Sequence, residues 1–316
     1  MNCEAKNTIP TVDLSPFFNG DENERQLATD TIAEACQTYG FFRIINHGIP
    51  PKLLSQALDL SKQFFALPDV DKQKVKPMEG SKGLLPAGYA RQPEHSKDKN
   101  EYFLVFVPDF GLNVYPDQPT EFKRVIEDCY TRLEEVASLI QEIINNFMGL
   151  PPNFLKEYNQ SRNMEFMTAL RYFPATETEN NGLSAHEDSN CLTLIFQDDV
   201  GGLEVLKDAD WIPIEPIEGS IIVNLGDIIQ VLSNNKFKSA THRVIRKATH
   251  RHSFSFFFNL DGDKWIEPLP QFTTDIGESP KYRGFHYEEY IQLRARNKTH
   301  PPSKPEDVIH VTHYSI

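Results

Sequence analysis

His186 and Asp188 stand two residues apart, and a second histidine, His242, lies well downstream in Ala240-Thr241-His242-Arg243-Val244. In a β-strand, side chains at i and i+2 project to the same side. His186 and Asp188 can therefore converge on one ion while Glu187 points away. For His242 to join them, a distant strand must lie beside the first. That requirement selects folds in which strands remote in sequence are neighbours in space, such as a barrel or a sandwich. A lone H-x-D triplet is compatible with three packed or solvated side chains, so the rest of the chain has to decide.

Two imidazoles and one carboxylate can hold a divalent ion on one face and leave the opposite positions open. This is the ligand set expected of a non-heme Fe(II) centre that binds a co-substrate and O2. Nine residues after His242, the run Arg251-His252-Ser253-Phe254-Ser255-Phe256-Phe257-Phe258-Asn259 is aromatic and alternating, as a strand would be. Arg251 and Ser253 share a side of it. A guanidinium fork matches a carboxylate in bidentate fashion, and a neighbouring hydroxyl can add a third bond. An open metal site beside such a clamp suits a 2-oxo acid with a second carboxylate.

Taken with these residues, further segments carry a resemblance over nearly the whole length. They are Ile9-Pro10-Thr11-Val12-Asp13-Leu14, the run Gly40-Phe41-Phe42 to Asn46-His47-Gly48-Ile49, Gly201-Gly202-Leu203, and Asn224-Leu225-Gly226-Asp227. The chain resembles the plant-type 2-oxoglutarate- and Fe(II)-dependent dioxygenases, within the isopenicillin-N-synthase-like superfamily. The resemblance implies Fe(II) on His186, Asp188 and His242, and the distal carboxylate of 2-oxoglutarate on Arg251 and Ser253. It implies O2 as oxidant, ascorbate as a support of activity, and release of succinate and CO2. Hydroxylation is the commonest outcome implied, with demethylation, desaturation and epoxidation using the same residues. There is one departure. Relatives carry an Asn-x-Tyr pair before a proline, where this chain has Arg171-Tyr172-Phe173-Pro174. A phenyl ring cannot donate a hydrogen bond. Either Tyr172 takes the tyrosine's place, or the co-substrate is held by one bond fewer.

Charge and composition bound the partners. Asp and Glu number 45 against 32 Lys and Arg, a net charge of −13, which disfavours nucleic acid and anionic membranes. Cys3, Cys36, Cys129 and Cys191 have no C-x-x-C spacing and read as reduced thiols; Cys191 reads as a small buried hydrophobe. With no long apolar run and no secretory leader, a cytoplasmic monomer acting on a small molecule is expected, with the nucleus possible.

Periodicity predicts helices over 24–39, from Pro51 to near Pro68, over 121–148 and over 280–297, the last over the mouth of the site. Residues 71–100 read as a long loop. Strands are expected at 9–14, 41–45, 164–173, 192–197, 203–206, 211–213, 220–224, 240–244 and 253–259. The fold class is α+β with a mainly β core, which the resemblance sharpens to a double-stranded β-helix, or jelly roll, with flanking N-terminal and C-terminal helices. Residues 1–150 would support the core and 151–316 would form it, as one compact unit. Tyr89, Phe103, Phe106 and Phe258, with Phe256, are candidates to line a pocket for a ring-bearing substrate such as a plant hormone or specialised metabolite; ordinary core packing is the alternative for each. The rival for the whole chain is a catalytically idle jelly roll that binds a metal or a hormone.

Overall fold

The computed structural model describes residues 8–77, 86–299, 302 and 304–316. The first half of the chain alternates short strands with helices: β1 (Thr11–Asp13), α1 (Ser15–Asn19), α2 (Glu22–Thr38), β2 (Phe41–Ile45), α3 (Pro51–Ala66), α4 (Asp69–Lys72), β3 (Gly88–Arg91), β4 (Asn100–Phe106), α5 (Phe122–Phe147) and α6 (Phe154–Glu157). Asp21 caps α2 by accepting from the Glu24 amide at 2.9 Å, and Pro51 opens α3 where its missing N–H costs nothing. The second half is mostly strands: β5 (Phe166–Tyr172), β6 (Asn181–His186), β7 (Leu192–Gln197), β8 (Leu203–Lys207), β9 (Asp210–Pro213), β10 (Ile221–Leu225), α7 (Asp227–Leu232), β11 (His242–Ile245), β12 (Arg251–Phe258), β13 (Trp265–Ile266), β14 (Phe285–His286) and α8 (Tyr287–Thr299).

Eight strands form one sheet in the order β1-β2-β10-β7-β12-β5-β4-β3, and a second sheet runs β6-β11-β8-β9. The jelly roll is these two sheets face to face. Side-chain parity sorts its layers. Phe42, Phe103, Met167, Leu194, Val223, Phe254, Phe256 and Phe258 join a core with residues of α2, α3 and α5. Tyr130 of α5, for instance, meets Phe256 edge-on at 5.2 Å. The opposite face buries Phe41, Tyr172, Ile195 and Ile222 against Leu203, Val205, Ile212 and Val244 of the second sheet. Each such aromatic or aliphatic side chain contributes about 1.5–3 kcal/mol on burial, so both faces of the large sheet are held.

Three expectations are corrected here. The stretch 71–100 is not one loop: α4 runs into it, a 3-10 turn covers Gln73–Val75, and β3 pairs antiparallel with β4. Its residues 78–85, with Gly80 and Gly83, lie outside the described residues. The polar strand β6 and the short helix α7 are additions to the predicted elements. The C-terminal helix begins at Tyr287, later than expected, after the short strand β14.

Candidate metal centre and co-substrate clamp

His186 is the last residue of β6, and it lies directly across from His242, the first residue of β11. Asp188 follows just beyond the strand end. The pairing of two strand ends, rather than a continuous strand through all of 186–188, is what gathers the three side chains. One potential ligand atom from each lies within 4.8 Å of the other two. Asp188 Oδ1 is 3.5 Å from His186 Nε2 and 3.8 Å from His242 Nε2.

The remaining polar atoms of the trio are occupied. His186 Nδ1 is 2.8 Å from the Ser184 carbonyl, and His242 Nδ1 is 3.1 Å from the Ala240 carbonyl. Those contacts fix the tautomer, leaving each Nε2 lone pair free. Asp188 Oδ2 accepts from Thr193 Oγ1 at 2.7 Å and from Asn224 Nδ2 at 2.9 Å, so Oδ1 is the free oxygen. Gly226 lets the chain after β10 pass beneath this turn; a Cβ there would meet the Asn190 carbonyl at 2.1 Å. Burial by itself would raise the Asp188 carboxyl, but the His242 and His186 imidazoles and the Asn224 amide outweigh it and hold it well below the usual carboxylate range. Burial, helped by the neighbouring His186 and opposed by Asp188, pushes the His242 imidazole down to about 4. At neutral pH, Asp188 and His242 are therefore in the forms a metal requires. Free donors on one face, with their outer atoms satisfied, fit a divalent ion.

Arg251 and Ser253, at the start of β12, face the space between the sheets and are almost fully buried. Arg251 Nη1 donates to Ser253 Oγ at 3.0 Å, and Nη2 donates to Gln197 Oε1 at 2.6 Å. Arg251 Nε and Gln197 Nε2 are buried without a hydrogen-bond partner. Orphaned buried donors of this kind are costly unless an acceptor comes to them, and a carboxylate is the natural one.

Tyr172 lies across the β5–β12 ladder from Arg251, its ring 4.9 Å from the guanidinium carbon. Burial raises its phenol pKa, with Arg251 opposing, so the hydroxyl stays protonated. Tyr172 is therefore at the clamp. Phe173 lies past the strand end, its ring 5.5 Å from both Arg91 and Arg171. Arg171 turns to the other side of the sheet and ion-pairs with the buried Glu101.

Four of the five pocket candidates lie on the helix-side face, away from the metal ligands. Phe103 packs at 5.3 Å from Phe64 and 5.2 Å from Phe122. Tyr89, its cross-strand neighbour, meets Phe64 at 6.0 Å and donates its hydroxyl to Glu101 at 2.7 Å. Phe258, like Phe256, belongs to the helix-side core. Phe106 alternates to the inner face, where it neighbours Phe166 at 6.4 Å. Phe166 in turn stacks on Phe257 at 4.6 Å. These three rings are only partly buried and continue the same face as Arg251, Ser253 and Ser255. Sequence reasoning missed Thr193, Asn224, Gln197, Phe166 and Phe257. Counting by twos from Ser253 would have found Phe257.

A jelly roll with two histidines and a carboxylate converging inside it, beside a buried arginine clamp, defines the class of non-heme Fe(II) oxygenases that use a 2-oxo acid. The comparisons agree. Residues 164–260 match the model of the 2OG-Fe(II) oxygenase superfamily, and residues 9–123 match that of the non-haem dioxygenase in morphine synthesis N-terminal region. 1-Aminocyclopropane-1-carboxylate oxidase 3 of Arabidopsis thaliana is 34% identical over 91% of this chain and 88% of its own. A full-length protein of Neurospora crassa, solved in complex with alpha-KG, superposes with a TM-score of 0.82 at 25% identity, covering 93% of this chain and 97% of its own. JOX2, solved with 2OG, Fe and JA, gives a TM-score of 0.79 at 28% identity over 95% and 88%. The chain belongs to the plant-type 2-oxoglutarate- and Fe(II)-dependent dioxygenases. It is an enzyme of that family, with Fe(II) as its metal and 2-oxoglutarate and O2 as co-substrates.

Proposed function

We propose that this enzyme hydroxylates a small, uncharged, ring-bearing molecule held against Phe106, Phe166 and Phe257. The observation that carries the reading is the convergence of three ligand atoms within 4.8 Å inside the same two-sheet space as the Arg251 clamp. His186, Asp188 and His242 would hold Fe(II), which supplies the redox chemistry by which O2 and 2-oxoglutarate yield succinate, CO2 and an oxidised product. Arg251, Ser253 and Tyr172 would bind and orient the co-substrate through its distal carboxylate, satisfying Arg251 Nε. The buried sheet faces around them exclude water. No side-chain acid or base is assigned a proton transfer.

The substrate class follows from the inner face of β4, β5, β7 and β12. Among the described residues it carries one charged side chain, Arg251. With that guanidinium assigned to the co-substrate, no cation among the described residues on that inner face is left for a substrate carboxylate and no anion for an ammonium. A free amino acid, such as the 1-aminocyclopropane-1-carboxylate named for several relatives, would leave its charges unpaired there. Stacked rings and the Thr168 and Ser255 hydroxyls suit a planar ring bearing a polar substituent. The buried free thiols Cys36, Cys129 and Cys191 suit work in a reducing compartment such as the cytosol. Among the described residues, no helix is long and apolar enough to cross a membrane.

The test is a panel of neutral ring compounds and of amino acids, assayed with Fe(II), ascorbate and 2-oxoglutarate. Succinate should form above the His186→Ala background with a ring compound, alongside a product one oxygen atom heavier. Stimulation by 1-aminocyclopropane-1-carboxylate alone would overturn the substrate class. Succinate equal to background for wild type throughout would favour an idle binding protein.

A further inference from the structure

We infer that Arg294 is a positioning residue for the metal ligands, and that the C-terminal segment straps the turn between His186 and Asp188. Glu187 sits between the two local ligands, its carboxylate turned away from them. Arg294 of α8 reaches that turn from outside: Nη2 donates to the Glu187 carbonyl at 2.5 Å, and Nη1 donates to Asp227 Oδ2 at 3.0 Å. Asp227 is fully buried, takes a second bond from the Tyr290 hydroxyl, and donates its own amide to the Asp188 carbonyl at 2.7 Å. One guanidinium thus fixes the backbone of residue 187 directly and that of residue 188 through one intermediary.

The third ligand is tied to the same knot. Thr241, the residue before His242, donates its hydroxyl to the Glu187 carboxylate. His310 Nδ1 lies 2.8 Å from the other Glu187 oxygen. His310 is brought there by Asn297 of α8, whose side-chain amide makes two bonds to the Ile309 backbone, at 2.7 and 3.0 Å. The charges support the arrangement: a partly buried cation lies between the fully buried Asp227 carboxylate and the partly buried Glu187 carboxylate, and a single planar fork spans the Glu187 carbonyl and Asp227 Oδ2, which an ammonium could not do.

This inference rests on the proposed metal site, and its test separates the two. Metal-free protein is titrated anaerobically with Fe(II) in the presence of 2-oxoglutarate, following the visible charge-transfer absorption of the complex. Wild type, Arg294→Ala, Arg294→Lys and His310→Gln are compared, with far-UV circular dichroism and Tm of each metal-free protein as folding controls. Arg294→Ala should weaken Fe(II) binding about tenfold, in the range that lost outer partners of metal ligands usually cost. Added guanidinium ion should recover part of that loss, which a merely collapsed structure would not allow. Arg294→Lys and the more exposed His310→Gln should fall in between, with metal-free Tm near wild type. Unchanged Fe(II) affinity in Arg294→Ala and His310→Gln would remove the strap and leave the site standing. Absence of Fe(II) binding by wild type would remove the site itself.

Discussion

At the scale of single residues, the ligands are legible because their logic is local. His186 and Asp188 need only a two-residue spacing, and Arg251 and Ser253 only another. Thr193 and Asn224 are not legible, because their bonds to Asp188 depend on which strands become neighbours. The site's electrostatics make a prediction for His242. Its imidazole is held at about 4 against an ordinary 6.5. Above 6.5 it is neutral whether the chain is folded or unfolded, and contributes no pH dependence. Between 6.5 and 4 the unfolded chain takes up a proton that the folded one refuses, so stability falls as pH falls. In chelator-treated protein, His242→Gln should flatten the drop in urea midpoint between pH 6.5 and 4. The Asp188 contribution belongs to more acidic solution, because its carboxyl titrates below its usual range. An identical slope in wild type and variant would refute the assignment. Arg251→Lys probes the clamp: a point charge cannot replace the fork, so the KM for 2-oxoglutarate should rise about tenfold or more with a smaller change in kcat. An unchanged KM would take Arg251 out of the clamp.

At the scale of elements, the decisive quantity is strand parity. A one-residue shift sends a side chain to the opposite face. In β12 the run Ser253-Phe254-Ser255-Phe256-Phe257-Phe258 is buried on both sides, so hydrophobicity does not say which ring faces which layer. That is why Phe258 reads from sequence as a pocket residue and Phe257 does not. The adjacent pair makes a clean experiment. Phe258→Ala removes a ring from the helix-side core and should destabilise the protein by about 3–5 kcal/mol, while leaving substrate KM close to wild type at a temperature where it stays folded. Phe257→Ala removes a partly exposed ring stacked on Phe166. It should cost clearly less stability and raise substrate KM. Urea unfolding and steady-state kinetics on both variants decide it, and the reverse pattern would put the substrate elsewhere. The same reasoning explains the missed strand. β6 reads Asn181-Gly182-Leu183-Ser184-Ala185-His186, too polar to announce itself, and it exists because β11 pairs with it and Asp98 accepts from both Ser184 N and Ser184 Oγ.

At the scale of the whole molecule, the two family models that match the chain cover different parts of it, yet the large sheet is woven from both. β2 pairs with β10 and β4 pairs with β5, so strands from residues 1–150 flank those from 151–316 on both sides. α5 then covers β7 and β12 from outside. A chain cut at 150 would leave two open sheet edges and one uncovered apolar face, the conditions for aggregation rather than independent folding. The protein should therefore unfold as one unit. Its two tryptophans provide the probe, because both Trp211 and Trp265 lie in the second half, in β9 and β13. Far-UV circular dichroism reports chiefly on the long helices α2, α3 and α5 of the first half. In urea, the fluorescence and dichroism curves should coincide, and both should shift together to higher denaturant when Fe(II) and 2-oxoglutarate are present, because ligands that bind only the folded state stabilise all that is coupled to it. Residues 151–316 expressed alone should be insoluble or bind no Fe(II). Two resolved transitions, with only the fluorescence curve moved by the ligands, would mean that the first half is a separate domain and that the site does not depend on it.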